Sequence, residues 1–252
     1  MATQLKSRVN RIVKDLKRVN EGEIGEDEAR ELFKELDPLE ISLAEQRLLE
    51  EGMDPDQLRE YCDLHLKAMS EKKEELLNSL PKGNPIRIAI IEHDHILEYL
   101  DELEEVVESI RAGSSPGKYS EVIGHVAKHL VEAEKHHERE EEVLFPRLEE
   151  RDITGPPDIM REDHDRLWPK KLHLKELAEL LEESGLKNTE KDELLDLSSE
   201  LIQELRDHIF KENNVLYPTF VENIEDEESW EKVRAEFDEI GYCCFSPEEA
   251  GY

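Results

Sequence analysis

His136-His137-Glu138-Arg139-Glu140-Glu141-Glu142-Val143-Leu144-Phe145-Pro146 is an eleven-residue pattern that the chain repeats as His208-Ile209-Phe210-Lys211-Glu212-Asn213-Asn214-Val215-Leu216-Tyr217-Pro218. Each copy sets a His and a Glu four apart. On an α-helix, positions i and i+4 lie one above the other, so each copy aims an imidazole and a carboxylate in one direction. An acidic-His-Asp triplet precedes each copy at nearly the same distance: Glu92-His93-Asp94 lies 43 residues before His136, and Asp163-His164-Asp165 lies 44 before His208. The repeated unit is therefore a helix pair, with one His on the first helix and His-x3-Glu on the second.

Around this repeat the composition is that of an all-α protein. Gly and Pro number only 11 each, β-branched runs are few, and Glu, Leu, Lys and Ala are abundant. Four longer helices are expected over about 85–112, 119–145, 157–184 and 189–217, separated by Ser114–Gly117, Gly155-Pro156-Pro157 and Gly185–Asn188. Their similar lengths and short connections favour an up-down four-helix bundle. Thr189-x-x-Asp192 caps the last helix, Pro146 and Pro218 stop the helices that carry His-x3-Glu, and Pro169 is a kink position in the third.

Ahead of the bundle, Leu5, Val9, Ile12, Val13, Leu16 and Val19 mark a helix over about Gln4–Val19. Further helices are expected over 26–36, 38–51 and 54–80, the last with Asp54 as cap and Pro55 in the first turn. Pro81-Lys82-Gly83-Asn84-Pro85 then breaks the chain. The expected division is an N-terminal helical domain over 1–80, the bundle over 81–225, and a C-terminal helix and tail over 226–252. In that last segment Trp230, Val233, Phe237 and Ile240 mark an amphipathic turn or two, and nothing in its composition points to a role.

Acidic residues number 65 against 33 basic, a formal charge of −32. Such a field repels phosphate backbones, so nucleic acid is not an expected partner. No stretch approaches eighteen apolar residues, and a membrane is not expected either. Three cysteines, Cys62, Cys243 and Cys244, make no secreted framework, and the first residues lack the apolar core of a signal peptide. A cytoplasmic protein is expected.

Helical phase selects among the histidines. At about 100° per residue, His93 falls within the stripe of Ile86, Ile90, Leu97, Leu100 and Val107, and His95 falls off it. His164 shares a face with Met160, Leu167 and Trp168, while His173 points away. His136 and Glu140 align with Val122, Ala133 and Val143, and His208 and Glu212 align with Leu194, Leu201, Leu205 and Val215. Six polar side chains in a core cost several kcal/mol each if unpaired. Cations are the simplest partners, because they consume all the lone pairs at once. The expected metal ligands are His93, His136, Glu140, His164, His208 and Glu212, with His93 and His136 terminal at one ion, His164 and His208 terminal at the other, and the two Glu bridging. Imidazole and carboxylate without thiolate suit iron, manganese or zinc. A buried histidine–glutamate network without metal is the alternative.

Other residues have plainer expectations. His125 and His129 fall on the His136 face but roughly 16 and 10 Å along the axis, so they are expected in the core or at the bundle end. His137 with Glu141 is also four apart, but the register against the second copy favours His136. Cys62 and His65 are expected to pack on an apolar face. Cys243-Cys244 is expected to be an ordinary tail segment.

With these motifs in view, the region from about Asn84 to Asn223 resembles a hemerythrin-like HHE cation-binding domain. The resemblance rests on Glu-His-Asp at His93, the run 136–146, Glu-Asp-His-Asp at His164, and His-x3-Glu with Leu-Tyr-Pro at 208–218. It implies an oxo- or hydroxo-bridged di-iron centre held by the six residues named above. Residues 5–75 resemble a helical domain of unknown function that often precedes such bundles. Oxygen-carrying hemerythrins place a second His four after the third-helix His and end with His-x4-Asp. This chain has Trp168 and His-x3-Glu there, which leaves coordination more open and points away from reversible oxygen carriage. The expected function is sensing of, or response to, oxygen, nitric oxide or redox state, with a small diatomic ligand or peroxide at the metal and a protein partner reached through the N-terminal domain. The rival class is a di-iron enzyme or iron-centre repair protein.

Overall fold

The computed structural model describes residues 2–20, 23–25, 44, 47–48, 51, 73–224 and 226–250, and every regular element among them is helical. The helix expected over 26–36, the greater part of those over 38–51 and 54–80, and the Cys62–His65 pair lie outside the described residues; within 38–51, residues 44 and 47–48 are helical. None of the described helices is long and apolar enough to cross a membrane. The chain divides into two compact units, Met1–Ser79 with Phe210–Pro218, and Leu80–Ile209 with Thr219–Tyr252.

In the first unit, α1 (Ala2–Asn20) buries Val9, Ile12, Val13 and Leu16, which recur on one helical face. Lys17 and Arg18 in its last turn complement the carbonyl end of the helix dipole. Lys17 also bonds Glu51 at 2.7 Å, and Ala44 and Leu48 are fully buried.

In the second unit, α2 (Pro85–Arg111) opens on Asn84, whose side chain accepts from the backbone N–H of Ile86 at 2.9 Å and Arg87 at 3.4 Å. Pro85 fits the first turn because its missing N–H would have no helical acceptor there. A 3-10 turn (Pro116–Tyr119) leads into α3 (Ser120–Glu132), α4 (Glu134–Arg139), a π turn (Glu140–Leu144) and α5 (Phe145–Glu149). Next come α6 (Gly155–Ser184) and α7 (Asn188–Lys211), then a second π turn (Glu212–Leu216), which with the adjoining helix ends is grouped in the first unit, and α8 (Tyr217–Asn223). The α9 helix (Glu227–Ile240) is capped by Asp226, which accepts from Ser229 N–H at 2.8 Å, and Gly241 ends it at φ 88°, a conformation that favours glycine. One apolar core joins α2, α3, α6 and α7 through Leu100, Val126, Leu130, Leu174, Leu177, Leu201 and Leu205, among others.

Several expectations change. Pro146 and Pro218 do not stop their helices. Phe145 N–H bonds Glu140 C=O and Tyr217 N–H bonds Glu212 C=O, five residues back, so each proline follows a widened turn and the helix resumes through it. That extra residue also rotates the apolar face, so Leu216 is fully buried where Val215 is only half-buried. The α7 helix begins at Asn188, with Thr189 already inside it, and Glu190 accepts from Lys187 N–H at 2.7 Å. The second long helix is interrupted at Ala133, where His136 N–H bonds Ala133 C=O three residues back. Upstream of that break His125 is exposed and His129 half-buried, so neither reaches the core. Their rings lie 4.2 Å apart, tilted by 48°, and both contact Tyr99.

Candidate metal centre

All six residues singled out by phase and register are buried: His93, His136, Glu140 and His208 at 1% exposure, His164 at 2% and Glu212 at 0%. His95 and His173, the off-face alternatives, have side chains 40% exposed and bond to surface Glu98 and to Glu176 and Glu193. Glu140, His164, His208 and Glu212 each offer a ligand atom, and these atoms lie within 4.8 Å of one another; His93, His136 and Glu212 form a second such group. Glu140 also spans two histidines, its Oε1 3.6 Å from His136 Nε2 and its Oε2 3.5 Å from His164 Nε2. Both π turns begin at these glutamates, so the widened turn in each copy sits where the carboxylate enters the cluster. π turns often fall at functional sites for this reason.

The imidazoles meet in pairs through Nε2: His93 with His136 at 3.0 Å, and His164 with His208 at 3.1 Å. Carboxylates hold the opposite ring edges. Glu92 is 2.7 Å from His136 Nδ1, Glu141 is 2.6 Å from His164 Nδ1, and Asp163 faces His208 Nδ1 at 3.5 Å. An ionised carboxylate only accepts, so it favours the proton on Nδ1 and leaves the Nε2 lone pair directed inward. With the proton on Nδ1 of both rings, the Nε2 lone pairs of His164 and His208 face each other at 3.1 Å, a repulsion that a cation accepting both would relieve. Carboxylates behind ligating histidines are the usual device for fixing tautomer and ring orientation. The donor set, four imidazoles and two carboxylates without thiolate, therefore fits a first-row transition-metal ion or a pair of them.

Behind the first pair lies a group that phase analysis leaves without a role. Burial opposes ionisation of Glu92, but its bond to His136, the Arg139 charge and the Ser246 hydroxyl outweigh burial and hold its carboxyl down at about 2. Arg139, itself 1% exposed, donates to Glu92 and also to Gly241 C=O at 3.1 Å. Ser246 donates to the other Glu92 oxygen. Burial first, and then the Glu92 charge, push the nearby Cys243 thiol well above its usual range.

Two more residues were not expected here. His137 is 3% exposed, stacks on His164 at 3.9 Å with the rings 5° from parallel, and forms a third possible ligand group with His164 and His208. Parallel stacking makes it a support for the His164 ring, since two rings lying flat on each other cannot both aim a lone pair at one ion. Lys171 is fully buried with Nζ 3.3 Å from His137 Nδ1 and 3.6 Å from Glu134. Glu92 and Asp163 carry a signal in the sequence, as an acid immediately before His93 and before His164. Ser246 and Lys171 had no such signal.

Residues 84–220, just over half of the chain, match the hemerythrin HHE cation-binding domain. Residues 9–75 match a family of unknown function, DUF438. No curated protein matches the chain.

Proposed function

The chain belongs to the hemerythrin HHE cation-binding domain family, and on that premise we propose that its bundle holds a pair of non-haem iron ions and senses or responds to oxygen, nitric oxide or redox state. His93 and His136 would serve one ion, His164 and His208 the other, with Glu140 and Glu212 shared between them. Manganese or zinc suits the same donors. When bound, such a metal pair supplies open coordination positions and, for iron or manganese, electron transfer to a diatomic ligand or peroxide. The observation that carries the reading is Glu140, whose two oxygens stand 3.6 and 3.5 Å from histidines of opposite pairs.

In this reading the chain's own residues do three things. Glu92, Glu141 and Asp163 keep the inward ring nitrogens unprotonated. Buried Phe145, whose ring stacks on that of His164 with centroids 5.9 Å apart, excludes water from that side of the site. The N-terminal region relays the response to a protein partner. Metal analysis with visible spectra of aerobic and anaerobic protein tests the metal, and hydrogen exchange over residues 1–80 with and without oxygen or nitric oxide tests the relay. Exchange that is flat in both gases contradicts sensing.

A reductive enzyme is the second reading, favoured by the buried Lys171 ammonium, which can hold a proton at Nζ next to His137 Nδ1. Peroxide or oxygen turnover that collapses in Lys171→Met at unchanged metal content supports it. Absence of turnover in the metal-loaded protein removes it.

A further inference from the structure

Gly241–Ser246, the segment after α9, is fastened to the candidate centre and its surroundings through Gly241, Tyr242, Cys243, Phe245 and Ser246. Ser246 Oγ donates to Glu92, and Glu92 holds His136 Nδ1 at 2.7 Å. Arg139 donates to Glu92 with one arm and to Gly241 C=O at 3.1 Å with the other. Its guanidinium also lies over the Phe237 ring at 5.3 Å and the Tyr242 ring at 4.8 Å. Cys243 is fully buried and hydrogen-bonds the His136 backbone, and Phe245 packs edge-on against Tyr99 at 5.6 Å. Cys244, the next residue, is exposed.

We propose that this C-terminal segment is a strap whose Ser246 positions His136 through Glu92, so that cation binding at the bundle and docking of the strap reinforce each other. The proposal rests on the cation-binding reading above. Its physical basis is that His136 must present Nε2 to an ion while Nδ1 stays on Glu92, and Glu92 keeps its place only if Arg139 and Ser246 occupy its oxygens. Loss of the strap removes the Ser246 bond and the Gly241 anchor of Arg139 together, and the carboxylate gains a rotamer that no longer faces His136. By linkage, an ion that requires the oriented His136 must favour the docked strap by the same factor. Ser246 and Arg139 are therefore positioning residues, acting through Glu92.

Cys243 reports docking directly, because its thiol reacts only when the strap lifts, while Cys244 serves as an exposed reference on the same peptide. The experiment alkylates the full-length protein at fixed pH and reads each cysteine by mass spectrometry, after chelator treatment and after anaerobic loading with ferrous iron, with iron content measured on the same samples. Loading is expected to slow Cys243 on the order of tenfold, a typical size for coupling between sites, with Cys244 unchanged. In the chelated protein Ser246→Ala is expected to speed Cys243 severalfold, and Ser246→Thr, which keeps the hydroxyl, to restore the wild-type rate. Ser246→Ala should also weaken iron binding, which a merely structural strap would not do. Equal Cys243 rates in the loaded and chelated protein, at confirmed iron content, overturn the linkage. An unchanged Cys243 rate in chelated Ser246→Ala overturns the strap whether or not iron binds, and a protein that takes up no iron overturns the cation reading instead.

Discussion

In the first half of the repeat Glu92 reaches His136 Nδ1 at 2.7 Å, whereas in the second half Asp163, one methylene shorter, stands 3.5 Å from His208 Nδ1. Both acids immediately precede the histidine of the first helix and both face the histidine of the second, so the device is the same. The reinforcement differs. Glu92 is fully buried among Arg139, Ser246 and His136, while Asp163 is paired at 2.7 Å with Arg166, whose side chain is 40% exposed. A sequence repeat thus fixes register, and side-chain length and the neighbours brought from elsewhere fix how firmly each half is held.

The comparison can be broken first at the residue that joins the halves. Glu140→Ala is expected to remove the shared carboxylate and lower metal content by more than half, whereas His95→Ala, on the surface, leaves it unchanged; elemental analysis of the purified variants checks both. Loss confined to one ion would mean that the two halves bind independently.

Acid titration addresses the first half alone. Glu92 titrates at about 2 in the folded protein against an ordinary value of 4.5. Its folded value is the lower one, so the stability it contributes is present in full above 4.5 and is lost as pH falls from there toward 2. The shift corresponds to about 3 kcal/mol. Chemical denaturation of the chelated protein across this window should show the loss, and Glu92→Gln should remove that share of the pH dependence. A slope unchanged in Glu92→Gln would contradict the assignment.

The outer carboxylates give the sharper contrast. Removing the partner of a ligating histidine typically costs about 10–100-fold in metal affinity. Glu92→Gln is expected in that range and Asp163→Asn nearer its lower end, because the Asp163 contact is 0.8 Å longer. Competition with a chelator of known affinity measures both, and equal losses would show that reinforcement does not matter. The smallest effect is local: Asn84→Ala removes the cap of α2 and should cost about 1 kcal/mol of bundle stability, read by thermal unfolding, without altering the metal site.

Much of this site is legible in the amino-acid sequence. Helical phase separated His93 from His95 and His164 from His173 because those choices depend only on 100° per residue along uninterrupted helices. It failed for His125 and His129, since the break at Ala133 resets the phase between them and His136. Phase misplaces Val215 for a related reason: the π turn adds a residue, and proline after a widened turn looks in sequence like proline ending a helix. Register does not find the supporting role of His137, because it identifies which histidine repeats but not which neighbour supports it. Ser246 was invisible, since its partner lies 154 residues away and a single serine in a polar tail carries no pattern.

The account turns on whether the two halves together hold cations. Iron analysis of the full-length protein after anaerobic loading with ferrous iron and desalting, beside His136→Ala treated identically, tests it most directly. About two ions per chain, as bundle-core carboxylate–histidine sites hold, with a marked fall in His136→Ala, is the predicted result. Fewer than about one ion per chain in the wild type, or the same content in His136→Ala, would contradict it.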